Sequence, residues 1–128
     1  MIDSRTKILI VDDELSSRRI MEKIIRSQWK CDLFLAEDGS EALKIMLKEL
    51  PSLVILDVVM PFMNGIQVLQ TMRKSIKLAK TNVLACTAVE DNRIVKEVLK
   101  YGVLDYLVKP VNKETLVAKI TKLFEKIN

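Results

Sequence analysis

Three aspartates directly follow two of the apolar segments in this chain. Asp12 and Asp13 come after the run KILIV, and Asp57 comes after LVIL. Carboxylates that meet at one place raise each other's pKa, and a divalent cation relieves their repulsion. A set of oxygen ligands without Cys or His favours a hard ion such as Mg²⁺ or Mn²⁺. The alternative is that these aspartates are separate, solvated acids in loops without a shared function.

Asp57, Thr87 and Lys109 are of residue types that suit phosphoryl transfer. A carboxylate can attack phosphorus and form an acyl phosphate, and the charge of the transferring group must then be neutralised. Lys109 would supply an ammonium group and Thr87 a hydroxyl, although each seen alone is an ordinary surface or strand residue. The bond between Lys109 and Pro110 can be cis at modest cost, which would help to aim the lysine inward.

The elements that must position these residues alternate regularly along the chain. Apolar runs predict strands over 7–12, 32–36, 53–57, 82–87 and 105–108. Amphipathic segments predict helices over 15–28, 40–49, 65–75, 91–101 and 112–127. Five successive βα units favour a parallel sheet with helices on both faces. In the order 2-1-3-4-5, one of two common orders, strands one and three are neighbours at the rim where such sheets bind ligands.

Composition narrows the possible classes of protein. The 128 residues are suited to one domain over residues 1–128. The sequence has no histidine, which excludes Ser-His-Asp and Cys-His catalysis and a phosphohistidine on this chain. No apolar run approaches the roughly 20 residues of a membrane-spanning helix, and no secretory signal opens the chain, so we expect a cytoplasmic protein without membrane insertion. Cys31 and Cys86 lack CxxC spacing and are expected to be small core residues.

The chain is basic, with a net charge of +4. Much of the excess lies on residues 18–30 and 113–126, and we interpret these cations first as solvated helix faces. The alternative is a basic surface for an acidic partner. Nucleic-acid binding through this domain is not expected, because the basic segments have neither aromatic interleaving nor a dense run.

In their order and approximate spacing, these motifs resemble the receiver domains of two-component response regulators, the CheY-like family. The matching segments are KILIVDD around Asp12, LVILDVVMPFMNG around Asp57, VLACTA around Thr87 and DYLVKP around Lys109. Each motif is weak alone, but the ordered set is specific and spans residues 7 to 124. The resemblance implies an α/β, flavodoxin-like, doubly wound (βα)5 fold with a five-stranded parallel sheet in the order 2-1-3-4-5.

The resemblance also implies roles for the matching residues. Asp57 would accept the phosphoryl group, and Lys109 would pair with it. Thr87 would move toward the group and Tyr106 would turn inward in response, unless Tyr106 is a static, half-buried aromatic residue. The expected ligands of Mg²⁺ (or Mn²⁺) are Asp12, Asp13, Asp57 and the main-chain carbonyl of Val59. The expected neighbours of the phosphoryl group are Val58, Val59 and Ala88.

The resemblance implies two kinds of partner, a phosphoryl donor and a downstream protein. The donor would be a phosphohistidine of a histidine kinase or phosphotransfer domain, or a small phosphodonor. A downstream protein would bind the segment from Asp91 to Tyr101, strand 105–108 and the last helix, and a homodimer is left open. The chain would catalyse only its own phosphoryl transfer and dephosphorylation. Part of one apolar set on the fourth helix should be exposed or covered by a partner: Ile94, Val95, Val98 and Leu99.

Two departures from the usual pattern predict slow self-dephosphorylation. Val59 and Val89 occupy flanking positions that often carry polar groups, and neither side chain can hydrogen-bond an attacking water.

An aspartyl-nucleophile phosphate-ester hydrolase is an alternative function, but it needs an acid two residues after the nucleophile, where Val59 stands.

A phosphorylation-independent binding module is a further alternative, and intact Asp13, Asp57, Thr87 and Lys109 argue against it. A dinucleotide-binding fold is disfavoured because no GxGxxG follows the first strand. The sequence leaves open whether the chain is a single-domain regulator or part of a longer protein, and it names neither the kinase nor the output.

Overall fold

Strands and helices alternate along the chain in a computed structural model, which describes residues 1–60, 63–88 and 92–127. The strands are β1 (Lys7–Val11), β2 (Asp32–Ala36), β3 (Leu53–Asp57), β4 (Val83–Thr87) and β5 (Asp105–Val108). The helices are α1 (Leu15–Gln28), α2 (Gly39–Glu49), α3 (Gly65–Lys74), α4 (Asn92–Lys100) and α5 (Lys113–Ile127). The predicted bounds agree to within one residue, and the predicted start of the fourth helix, Asp91, lies outside the described residues.

The five strands form one parallel sheet in the order β2-β1-β3-β4-β5. This order confirms the flavodoxin-like prediction, and it places β2 at an edge. Val11 of β1 pairs with Leu56 of β3. Asp12, the residue after β1, and Asp57, the last residue of β3, therefore lie at the same rim of the sheet.

Side chains that alternate along the strands supply a core on each face of the sheet. In β1, Leu9 and Val11 join the cluster that packs against α2, α3 and α4. Ile8 and Ile10 join the cluster under α1 and α5. β1, β3 and β4 are covered on both faces, which explains why their sequences are continuous apolar runs.

The start of α3 is fixed locally, which matters because this helix follows the Asp57 segment. The Asn64 side chain accepts a hydrogen bond from the Gln67 amide at 3.0 Å, and the Asn64 amide donates to the Gln67 side chain at 2.9 Å. This reciprocal pair is a capping box, which satisfies amides that have no partner within the helix.

The burial of individual side chains tests several expectations about the core and the surface. Cys86 is fully buried, as predicted, whereas Cys31 is only partly buried, and both thiols are free. On α4, Val98 is buried but Leu99 is 48% exposed, so the prediction that this apolar set is not wholly buried is confirmed. None of the helices in the described ranges combines the length and apolar character needed to span a membrane.

Candidate functional site

Three carboxylates converge at the carboxyl-end rim of β1 and β3. One oxygen from each of Asp12, Asp13 and Asp57 lies within 4.8 Å of the others. Asp12 and Asp57 are buried, whereas Asp13 is exposed to solvent. The acidic cluster expected from the sequence is therefore present, open to solvent on the Asp13 side.

Lys109 reaches this acidic cluster from the end of β5. Its Nζ lies 2.8 Å from Oδ2 of Asp12 and donates to Oδ2 of Asp57 at 3.2 Å. The Lys109 amide donates to the carbonyl of Thr87 at 2.7 Å, which fixes the lysine backbone beside β4. The Lys109–Pro110 peptide bond is cis.

The Asp57 carboxylate is held on both oxygens but is poorly solvated. Oδ1 accepts from the Val59 amide at 3.2 Å, and the residue is only 3% exposed. Burial raises the pKa of Asp57 to about 6, with the Asp12 charge adding to the rise, although Lys109 and the Val59 amide oppose it. Repulsion between carboxylates does act here, as expected from the sequence, but burial is the larger cause.

The charge balance of the cluster suits a divalent cation. Burial by itself would lower the pKa of Lys109, but its contacts with Asp12 and Asp57 outweigh burial and raise that pKa. With every group ionised, three carboxylates and one ammonium leave two negative charges. Oδ2 of Asp12 is buried, and among the described residues it is paired with Nζ of Lys109 at 2.8 Å. Buried oxygen donors that carry excess negative charge fit Mg²⁺ or Mn²⁺.

The expected neighbours of a phosphoryl group lie around Asp57 with different exposures. Val58 is buried, and its amide donates to the carbonyl of Cys86 at 2.8 Å. Val59 is 55% exposed at the mouth of the site. Ala88 is exposed and lines, with Lys109, a surface cavity of about 370 Å³. Val89, the other residue expected to flank the site, lies outside the described residues.

Thr87 and Tyr106, the two expected switch residues, lie on neighbouring strands. Thr87 ends β4 and is buried at the rim that holds Asp57. Tyr106 of β5 pairs in register with Ala85 of β4, and it is half-buried against the core. Nζ of Lys119 lies 5.8 Å from the centre of the tyrosine ring.

Two residues that the sequence analysis did not assign to the site touch its backbone. A Cβ atom added to Gly65 would lie 2.6 Å from both the carbonyl oxygen of Asp57 and Cα of Val58. Nη1 of Arg18 donates to the carbonyl oxygen of Asp12 at 2.8 Å. Arg18 belongs to the basic segment that we interpret as solvated, yet its helical spacing from Met21 and Ile25 puts it on the buried stripe of α1. This spacing is visible in the sequence.

With this geometry in place, comparison with known proteins identifies the family. A family model described as "Response regulator receiver domain" matches residues 8–121. The chain belongs to the response regulator receiver domain family. Receiver domains act in two-component signalling, and that is the class of function established for this chain.

The relatives of this receiver domain include both short and long proteins. It is 35% identical to the chemotaxis protein CheY of Pseudomonas aeruginosa, over 95% of this chain and 98% of that protein. It is 39% identical to the "Probable transcriptional regulator ycf27" of Porphyridium aerugineum over 97% of this chain, and 40% identical to that of Cyanophora paradoxa over 96%. The chain spans about half the length of these two regulators, 50% in each case.

Solved structures support the same fold. The structure of the Vibrio cholerae chemotaxis protein CheY4 superposes with a TM-score of 0.85 at 30% identity, covering 92% of this chain and 98% of that one. A putative response regulator from Chloroflexus aurantiacus gives a TM-score of 0.85 at 28% identity, covering 92% and 96%.

Proposed function

We propose that this receiver domain is a phosphorylation-dependent switch that accepts a phosphoryl group on Asp57 in a Mg²⁺-dependent reaction. The observation that supports the proposal is the contact of the buried Asp57 carboxylate with Lys109, beside the oxygens of Asp12 and Asp13. A nucleophile, an ammonium group and two further metal-type ligands thus lie within reach of one phosphoryl group. With a pKa of about 6, Asp57 is mostly ionised at neutral pH, as a nucleophile must be.

In the proposed transfer, an Asp57 carboxylate oxygen attacks phosphorus of a phosphohistidine. The new bond is between oxygen and phosphorus, the bond between phosphorus and imidazole nitrogen breaks, and the imidazole leaves after gaining a proton. Nζ of Lys109, which donates to Oδ2 of Asp57 at 3.2 Å, would instead pair with a phosphoryl oxygen. Preorganised cations of this kind stabilise the charge that spreads over the oxygens in the transition state.

The metal ligands in this proposal are Asp12, Asp13, Asp57 and the carbonyl of Val59. Mg²⁺ (or Mn²⁺), when bound, would neutralise charge on the phosphoryl oxygens and on the carboxylates. Oδ2 of Asp12 is buried beside Nζ of Lys109, and a bound ion would add a second cation to this oxygen. Mg²⁺ usually keeps several waters in its coordination shell, which suits a cluster that is open to solvent on the Asp13 side.

The signal would leave the site through Thr87 and Tyr106. Thr87 would supply a hydroxyl to a phosphoryl oxygen, while Val58 and Ala88 border the group and the small Ala88 leaves room for it. Tyr106 would turn inward as Thr87 moves. The half-buried position of Tyr106 next to Lys119 is compatible with an outward starting state.

The proposed partners are a histidine kinase or histidine phosphotransfer domain as donor, and a downstream protein that binds α4, β5 and α5. The exposed Leu99 on α4 supports a partner-covered surface there, and a homodimer through it is a further proposal. We also propose that residues 1–128 form one receiver domain in the cytoplasm. It would act only on its own phosphoryl group and not as an enzyme on other substrates.

Intact-protein mass spectrometry with acetyl phosphate tests the proposal. We expect a gain of one phosphoryl group with Mg²⁺, little gain in EDTA, and none in Asp57→Ala. Asp32→Ala is the matched control, since Asp32 is an exposed aspartate at the opposite end of the sheet, and it should be phosphorylated like the wild type. Equal phosphorylation of Asp57→Ala and the wild type would overturn the assignment of the acceptor.

A further inference from the structure

The four polar atoms of Asp12 make different kinds of contact. Its amide donates to the carbonyl of Ala36 at 3.1 Å, and its Oδ1 accepts from the amide of Glu14 at 2.9 Å. Its carbonyl accepts from Nη1 of Arg18 at 2.8 Å. Oδ2 is the oxygen that faces Nζ of Lys109, at 2.8 Å. Three contacts therefore fix the main chain and Oδ1, and the remaining oxygen faces a cation.

Arg18 is unlike the exposed arginine that follows it. Its side chain is only 13% exposed, whereas Arg19 faces solvent. Within the described residues it also contacts Glu37, with 3.9 Å from Nη2 to Oε2, and the Glu37 side chain is 64% exposed. An exposed ion pair of this length contributes little, so the main interaction of the guanidinium is with the Asp12 carbonyl.

We propose that Arg18 is a positioning residue for the metal site: by holding the Asp12 carbonyl, it fixes the turn after β1 so that Asp12 and Asp13 present their carboxylates to the ion. This inference rests on the proposed Mg²⁺-dependent function. A charge-assisted hydrogen bond to a buried carbonyl is among the stronger hydrogen bonds in proteins. Partners that orient metal ligands in this way typically change metal affinity by 10- to 100-fold.

A positioning role and a purely electrostatic role of Arg18 predict opposite changes in the Kd for Mg²⁺ when Arg18 is replaced. A guanidinium in contact with Asp12 repels a cation bound at the acidic cluster, so loss of its charge alone would strengthen Mg²⁺ binding. Loss of a positioning hydrogen bond would weaken it, because the carboxylates would no longer be held in place. The direction of the change in Kd therefore separates the two roles.

The test is Mg²⁺ titration by calorimetry on EDTA-treated full chain. Arg18→Met keeps an apolar stem and removes the donors, and we expect its Kd to rise on the order of 10-fold. Arg18→Lys keeps the charge and one donor group, so its Kd should lie between those of Arg18→Met and the wild type. Arg19→Met, the matched control, should stay within about twofold because solvent and salt screen its exposed charge.

The outcomes separate this inference from the function on which it rests. If the wild type binds no Mg²⁺, the proposed function fails; if it binds and Arg18→Met binds equally or more tightly, only the role of Arg18 is overturned. If Arg18→Met does not fold, NMR of the wild-type guanidinium decides. Slowly exchanging Nη hydrogens of Arg18 in the Mg²⁺-bound protein support the hydrogen bond, and freely rotating ones contradict it.

Discussion

Nζ of Lys109 lies closer to Oδ2 of Asp12 than to Oδ2 of Asp57, at 2.8 Å against 3.2 Å. The lysine thus bridges two buried carboxylates, and it faces the Asp12 oxygen that a metal ion would take. It acts as an internal cation within the acidic cluster. This relationship makes the stability of the fold and the binding of metal interdependent.

Replacing Lys109 with methionine should destabilise the metal-free protein. Removing one partner of a buried ion pair leaves uncompensated carboxylates, so we expect a loss of about 3 kcal/mol in the free energy of unfolding at neutral pH. Mg²⁺ should restore part of this loss and should bind more tightly than to the wild type, because the competing ammonium is gone. Urea denaturation in EDTA and in Mg²⁺ measures both effects. Lys113→Met, at an exposed position of α5, is the control; equal stabilities of the two variants in EDTA would contradict the bridging role.

Mg²⁺ binding should weaken as the pH falls through about 6. The raised pKa of Asp57, about 6 in the metal-free site, means that protons compete with the metal for this carboxylate below that pH, whereas above it the carboxylate is ionised and free to bind. We expect the Kd to rise roughly tenfold between about pH 7 and about pH 5, with about half a proton released per ion bound at about pH 6 and nearly one at about pH 5. Calorimetry in buffers of different ionisation enthalpy measures both quantities. Asp57→Asn should lose most of this dependence, and a pH-independent wild type would refute the competition.

Gly65→Ala should damage the acceptor segment, whereas Gly102→Ala should not. The added Cβ at Gly65 meets backbone atoms of Asp57 and Val58 at 2.6 Å, which no side-chain movement can relieve. We expect a loss of about 1–3 kcal/mol together with slower phosphorylation. Gly102 has a φ of 73° and open space around it, so alanine there should cost about 1 kcal/mol through backbone strain alone. Urea denaturation and phosphoryl uptake should therefore separate the two variants, and normal uptake by Gly65→Ala would be inconsistent with this close packing.

Val59→Asn should shorten the lifetime of the phosphorylated protein. Val59 is 55% exposed beside Asp57, and its side chain offers no hydrogen bond to an attacking water. An amide at this position could orient that water, so we expect self-dephosphorylation to become several-fold faster, since positioned groups lower the barrier to attack. The decay of phosphoprotein after removal of the donor measures the rate. Val59→Thr, which keeps the shape more closely, is the comparison; unchanged decay in Val59→Asn would disprove the explanation.

The sequence predicted the parts of this structure that local patterns determine. Apolar runs located β1, β3 and β4, and the polar residues at their carboxyl ends located Asp12, Asp57 and Thr87. The contacts of Gly65 and Arg18 were missed because they depend on how a helix sits on the sheet. From the sequence, Gly65 is only the first residue of a predicted helix, and its approach to the Asp57 carbonyl follows from the packing of α3. Arg18 could have been found, since helical spacing places it with the buried Met21 and Ile25.

The central claim is that Asp57 accepts the phosphoryl group, and trapping the acyl phosphate tests it most directly. The protein is treated with acetyl phosphate and Mg²⁺, reduced with borohydride, digested and mapped by tandem mass spectrometry. Reduction of an aspartyl phosphate converts that residue to homoserine, so we predict homoserine at position 57, with little at that position when Mg²⁺ is replaced by EDTA. Homoserine at Asp12 or Asp13, or phosphate retained on a hydroxyl such as that of Thr87, would contradict the account.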